Sequence, residues 1–175
     1  MTRKIGFIVA LALAGTSGAA FAQASATVST TGTTRILQAI TISKTADLAF
    51  GSVVRSAAAG TNTVVINATT GARTITGAGG GVLATSTSGR ATYTVSGEGG
   101  QTFSITPDAT FNMTRVGGAE TITVTPTASA ATGTLSGAIG SSGTLAIGVG
   151  GSFPVTNTTV TGNYTGTFNL VVAYN

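Results

Sequence analysis

The chain is 175 residues long with 26 glycines, and only 7% of it is Asp, Glu, Lys or Arg, against roughly a quarter in an ordinary soluble domain. It contains no Cys, His or Trp, which excludes disulfides, thiolate or imidazole metal sites, cysteine nucleophiles and Ser-His-Asp triads. The net charge is +4, and the six cations beyond Arg3 and Lys4 are scattered singly with no basic patch and no interleaved aromatics, so nucleic-acid binding has no footing.

At the amino terminus Arg3 and Lys4 supply a positive start, residues 5–14 an apolar run, and Ala20, Phe21 and Ala22 a small-residue cleavage site. Residues 1–22 therefore read as a secretory signal peptide cut before Gln23. The apolar run has half the length a membrane-spanning helix needs, and no later stretch exceeds it. A single domain is expected over residues 23–175, exported to the periplasm, the cell surface or the medium, with no transmembrane helix. Loss of the leader leaves six cations against four acids, a net charge of +2.

Beyond the leader the sequence is built from short alternating runs punctuated by Gly, Asn and Ser, the pattern of antiparallel strands and turns. Thr, the commonest residue at 36, suits the solvent face of a strand better than a helix. In residues 23–34, Ala24, Ala26 and Val28 alternate ahead of polar Thr and Gly32. Strands are expected at residues 36–43, 48–54, 63–67 and 73–76, the last closed by a glycine loop over 77–81. Residues 93–95 and 103–105, joined by Gly97, Glu98, Gly99 and Gly100, predict a hairpin. Alternation over 120–125 predicts a strand that stops at Pro126, and residues 143–149 predict another between glycines. In the closing segment Tyr164, Gly166, Phe168, Leu170, Val172 and Tyr174 alternate with polar or smaller residues. That period of two places the first set on the core side, and a slip of one residue would turn it to solvent. Turn signals about every 8 to 12 residues, without an amphipathic helix between strands, point to an all-β fold, a single antiparallel β-sandwich.

Other architectures fit less well. The echo between Gly133-Thr134-Leu135 and Gly143-Thr144-Leu145 gives two copies, too few for a β-helix. An outer-membrane barrel needs longer strands and aromatic girdles.

The chemistry on offer is thin. The four acids Asp47, Glu98, Asp108 and Glu120 each sit among turn residues, and a glycosidase would need two of them facing across a cleft lined with aromatics. The glycine run 77–81 lacks the Lys-Ser/Thr ending of a phosphate loop. Calcium-loop spacing is missing. Lys44 is the one lysine after the leader, and the sequence shows no acid partner for an isopeptide bond. Thr-x-Thr arrays at Thr74, Thr92, Thr121 and Thr165 read more simply as a polar sheet face than as an ice-binding surface. Neither a catalytic residue, nor a metal site, nor a cofactor is assigned.

Three stretches carry a resemblance: Asp47, Leu48, Phe50 and Gly51 after the first strand; residues 94–105 in the middle; and residues 163–175, with Tyr164, Gly166, Phe168, Tyr174 and Asn175. With the signal, these resemble a secreted bacterial family catalogued as domain of unknown function 4402 (DUF4402), over essentially the whole exported chain. The family in turn is similar to spore-coat-U-type and chaperone-usher pilus subunits, which share the exported all-β design and a closing alternating strand with a penultimate aromatic, here Tyr174. The resemblance implies an immunoglobulin-like, pilin-like sandwich and no established reaction. The weaker likeness implies an incomplete sandwich filled by an extended strand, first from a periplasmic chaperone and then from the next subunit. Ala24, Ala26 and Val28 are then the donor candidates, with Tyr174 a further partner-binding candidate. The donor side chains are smaller than the usual apolar knobs, which keeps open a flexible leader or the domain's own first strand. The expectation is a non-enzymatic exported structural or adhesive surface protein that self-assembles. The alternative is a stand-alone extracellular module binding carbohydrate or a surface.

Overall fold

The computed structural model describes residues 24–175, so the expected signal peptide lies outside the described residues. The chain divides into two units, residues 1–34 and 35–175. In the first, residues 24–34 form no strand and are exposed throughout.

The second unit is all-β, as the sequence predicts. Its strands are β1 (Thr41–Ala46), β2 (Val53–Val54), β3 (Thr61–Ile66), β4 (Arg73–Gly77), β5 (Val82–Leu83), β6 (Ala91–Glu98) and β7 (Thr102–Pro107). There follow β8 (Phe111–Arg115), β9 (Thr121–Ala128), β10 (Thr132–Thr134), β11 (Ser142–Thr156), β12 (Tyr164–Thr165) and β13 (Leu170–Tyr174). Every pairing among them is antiparallel.

Strand β11 is the spine. Residues 142–149 pair with β6 and residues 151–156 with β3 along one edge, while residues 149–152 pair with β9 along the other. Two different strands can follow one another on the same edge because the middle of β11 is glycine. Any side chain at Gly150 would collide with the Ile66 carbonyl oxygen at the end of β3. The large sheet runs β1-β6-β11-β9-β8-β12, with β3 and β4 branching from β11. Its ends at β1 and β12 stay open, so the described strands do not close into a ring. A second sheet, β10-β7-β13, faces the β6 half of β11.

Two cores result. The β6–β7 core gathers Val95, Phe103, Ile105, Leu135 and Ile147 between the two sheets. The β3–β9 core gathers Phe50, Val64, Ile66, Val124, Phe153 and Val155 inside the curl of the large sheet. Burying a side chain of this size stabilises the fold by about 1.5–3 kcal/mol. On β9 the alternation is complete: Thr121, Thr123, Thr125 and Thr127 are exposed and Val124 is fully buried, which is the polar outer face the threonines predict.

Several expectations shift. The segments around Tyr93 and Phe103 do not form a hairpin: β6 pairs with β1 and β11, and β7 with β10 and β13, so the glycine turn carries the chain from one sheet to the other. Inside it Gly99 N–H donates to Ser141 O and Gly100 N–H to Leu135 O, bonds to other loops in place of a cross-hairpin ladder. Strand β9 does not stop at Pro126, which pairs with Gly151. The ring nitrogen there faces the edge that β8 has already vacated, since β8 pairs only with residues 121–124, so no ladder bond is lost. The first strand starts at Thr41, later than expected, and residues 48–54 are mostly a loop, with one bridge from Ala49 to Gly89 before β2. The closing segment keeps its phase but is split: β12 pairs with β8, and β13 with β7.

Candidate functional site

The first and last strands of this unit stand at open edges on one side of the sandwich. Gly133 of β10 lies against Leu145 of β11, whereas Tyr174 of β13 reaches Gly97 of β6, which places β13 over the β1 side. Among the described residues β1 pairs only with β6, and β13 only with β7.

Ladder alternation tells which backbone groups are left over. Asp108 N–H donates to Asn169 O (3.0 Å) and Asn175 N–H to Thr102 O (3.2 Å), so the odd-numbered residues of β13 face β7. The backbone groups of Leu170 and Val172 therefore face the open edge. On the other side Gly99 N–H donates to Ser141 O (2.8 Å), so even-numbered residues of β6 serve β1, and Ile42 and Lys44 turn their backbone outward.

The side chains beside these edges are apolar and incompletely covered. Ile42 stands opposite Val95, so both point to the same face; yet Val95 is fully buried and Ile42 is 36% exposed. All six residues of β1 are exposed. Ile40, Leu170 and Val172 pack on the β6–β7 core and remain half-buried.

One end of this gap is tied shut. The Tyr174 hydroxyl accepts from Glu98 N–H (2.7 Å) and donates to Gln38 O (2.9 Å). A side chain at position 97 would occupy the space of that hydroxyl, which is why glycine stands there. The Glu98 carboxylate, 3% exposed, accepts from the backbone N–H of Gly140 and of Gln38 (3.1 Å). These bonds, the Gly140 one foremost, hold its carboxyl below the usual glutamate range.

At its other end the gap opens into two clefts over the β3–β9 core. One, of about 410 Å³, lies between residues 48–55 and 159–164; its neighbour, of about 260 Å³, lies between residues 44–50 and 164–168. Both touch Leu48, Phe50, Met113 and Tyr164, so they form one seam between the first and last segments of the domain. Stacking of Phe168 on Phe111 (5.1 Å) and the edge-on contact of Phe50 with Phe153 (4.9 Å) build its walls.

The four acids are taken up one by one. Lys44 pairs with Asp47, which raises the lysine's proton affinity, so the lysine does have an acid neighbour, though both side chains are solvated. Asp108 accepts from Asn169 N–H (2.7 Å), and Glu120 forms a two-pronged pair with Arg115 that pulls the Glu120 carboxyl below its usual range. What the seam offers chemically is unsatisfied backbone donors and acceptors next to apolar side chains, the requirements of strand addition.

Of the residues singled out from sequence, Ala24, Ala26 and Val28 lie in the exposed, strand-free segment, Val28 at 91% exposure. Tyr174 sits at the seam, but its hydroxyl is committed within the domain, so it acts as a clamp and not as a free partner contact. Sequence reasoning missed the clefts. The available signal was Phe111 and Met113 alternating with Asn112 and Thr114, a strand of the same grammar as the others.

The profile of the family described as domain of unknown function (DUF4402) matches residues 40–174, and the chain belongs to that family. No curated protein and no solved structure matches the chain. No helix among the described residues is long and apolar enough to cross a membrane.

Proposed function

We propose that this member of the DUF4402 family is an exported, non-catalytic structural subunit whose open sandwich is completed by a strand from a neighbouring copy. The observation that carries the reading is the pair of unpaired edges at β1 and β13, with Ile42, Leu170 and Val172 pointing inward yet incompletely covered. Such a gap favours an added strand twice over, through main-chain hydrogen bonds and through the apolar side chains it would cover. The donor is the segment from Ala24 to Val28, exposed and free of any strand, in which Ala24, Ala26 and Val28 alternate. The signal peptide at residues 1–22 and the resemblance to pilus subunits, both expected from the sequence, support export and assembly at the cell surface, with a periplasmic chaperone as the first partner.

The absence of native cysteine makes the test clean. Chain carrying Val28→Cys is mixed with chain carrying Ile42→Cys and oxidised. A disulfide-linked heterodimer, together with SDS-resistant ladders of the unmodified chain that vanish on deletion of residues 24–28, is the expected result. A deletion variant that melts like the parent and still forms ladders would assign assembly to another surface. A parent chain that stays monomeric at high concentration overturns the reading.

A further inference from the structure

We infer that the larger cleft, independently of the strand gap, is a binding site for a small amphiphile with one apolar chain and an anionic head. Its volume of about 410 Å³ lies within the range of small-molecule sites, roughly 300–1,000 Å³. The floor is apolar, formed by Met113, Ile122, Phe153 and Val155, and the unbranched thioether of Met113 can adapt to a flexible chain.

The two walls are each fixed within their own neighbourhood. On one side Arg73 donates to Phe50 O (2.6 Å) and Ser52 O (3.2 Å), and β2 pairs with β5. On the other, Tyr164 O–H donates to Val160 O (2.7 Å) and Val116 N–H to Asn163 O (2.8 Å). The space between is therefore built by the fold.

Among the described residues the mouth has one charge, and it is positive. Arg55 spans the mouth through a single bond to Thr159 O (2.7 Å) and takes part in neither of the ion pairs. Among the described residues no acid lines the cleft, while Ser52, Thr161 and Asn163 add neutral hydrogen-bonding groups at the rim. A guanidinium has five N–H donors, so one committed bond leaves a fork for a carboxylate. Apolar floor, preset width and a lone cation together select an anionic amphiphile over a neutral or cationic one.

The probes are decanoate and decanol, titrated calorimetrically below their aggregation thresholds into the exported chain. Decanoate is expected to bind saturably at one site, and Arg55→Gln to weaken it about tenfold while leaving decanol unaffected. Arg55 is exposed, so the variant should keep the parent's melting temperature. Val160→Trp, the only tryptophan in such a chain, should shift its emission to the blue on adding decanoate. Deletion of residues 24–28 should leave decanoate affinity unchanged, which separates this site from strand addition. Absence of saturable decanoate binding, or equal decanoate affinity in the parent and Arg55→Gln, overturns the proposal.

Discussion

The β6–β7 core and the β3–β9 core are closed by different means. Around Val95 and Phe103 two sheets face each other, and what is missing is one strand at the seam. Around Val64 and Phe153 only the curl of the large sheet is continuous, and the open side is covered by loops. Those loops are held by arginines bonded to backbone carbonyls. Arg73 donates to Phe50 O, Ser52 O, Ser86 Oγ and Ala84 O, and Arg90 donates to Ala68 O and Thr69 O. In a chain with so few charges, these arginines serve as multi-pronged caps for loop backbone, a task that the planar guanidinium performs and the point charge of lysine does not. Strand pairing closes one half, and donor geometry closes the other.

The largest effect should come from emptying the two cores in parallel. Phe103 is fully buried between the sheets, so Phe103→Ala is expected to cost about 3–5 kcal/mol, a large part of the total for a domain of this size. Phe153 borders the larger cleft, where neighbours and water can relax into the vacancy, so Phe153→Ala should fall near the lower end, about 3 kcal/mol. Urea unfolding of both variants checks the order. Because β11 supplies Ile147 to one core and Phe153 to the other, a single transition with an unchanged slope is expected; two separated transitions would mean that the cores fold independently.

A smaller effect isolates the loop-closed half. Arg73→Ala leaves the Phe50 carbonyl without its donor and strips the guanidinium from those of Ser52 and Ala84, which keep Ala84 N–H and the Ser86 hydroxyl, and about 1–3 kcal/mol of stability should be lost. Arg73→Lys should recover little of it. Amide exchange should speed up around residues 50–52 and 84–86 and leave β6 and β7 as protected as before. Uniform loss of protection through both halves would show that the arginine holds more than its loops.

The sequence made one half more legible than the other, for a physical reason. Alternation in β6, β7, β9 and the closing segment reports directly on which side chains face the core, and Leu170, Val172 and Tyr174 point where the period of two puts them. Alternation does not report which strand lies next door. Gly97, Glu98, Gly99 and Gly100 have hairpin composition, yet the turn changes sheets, because β6 finds its partners in β1 and β11, far away in sequence. Pro126 is tolerated for a similarly non-local reason, the early end of β8. The seam was legible only as its two margins, the closing strand and the segment after β1. Their meeting depends on β11 passing from β6 to β3 at Gly150, which a linear pattern does not announce. Nor does any local pattern mark Arg55 or Arg73, whose roles lie in bonds to carbonyls distant along the chain.

The finest test concerns the latch where the seam is tied shut. The carboxyl of Glu98 is held below its ordinary value of 4.5, chiefly by Gly140 N–H and next by Gln38 N–H. A carboxyl with a lowered folded value stabilises the fold fully above its unfolded value. As the pH drops below that value, the unfolded chain takes up protons first, and the contribution is lost as the pH falls through the folded value. Glu120 has the same sign through Arg115, so acid should weaken both halves. Glu98→Gln removes one contribution: its melting temperature should start lower at neutral pH, fall less steeply on acidification and approach the parent's at the acid end. Glu120→Gln should flatten the same curve while leaving β1 unaffected. Amide exchange distinguishes the two, because loss of the Glu98 carboxylate frees Gln38 and should speed exchange across β1, the edge of the seam. Parallel melting curves for the parent and Glu98→Gln, with β1 equally protected in each, would leave Tyr174 alone as the tie.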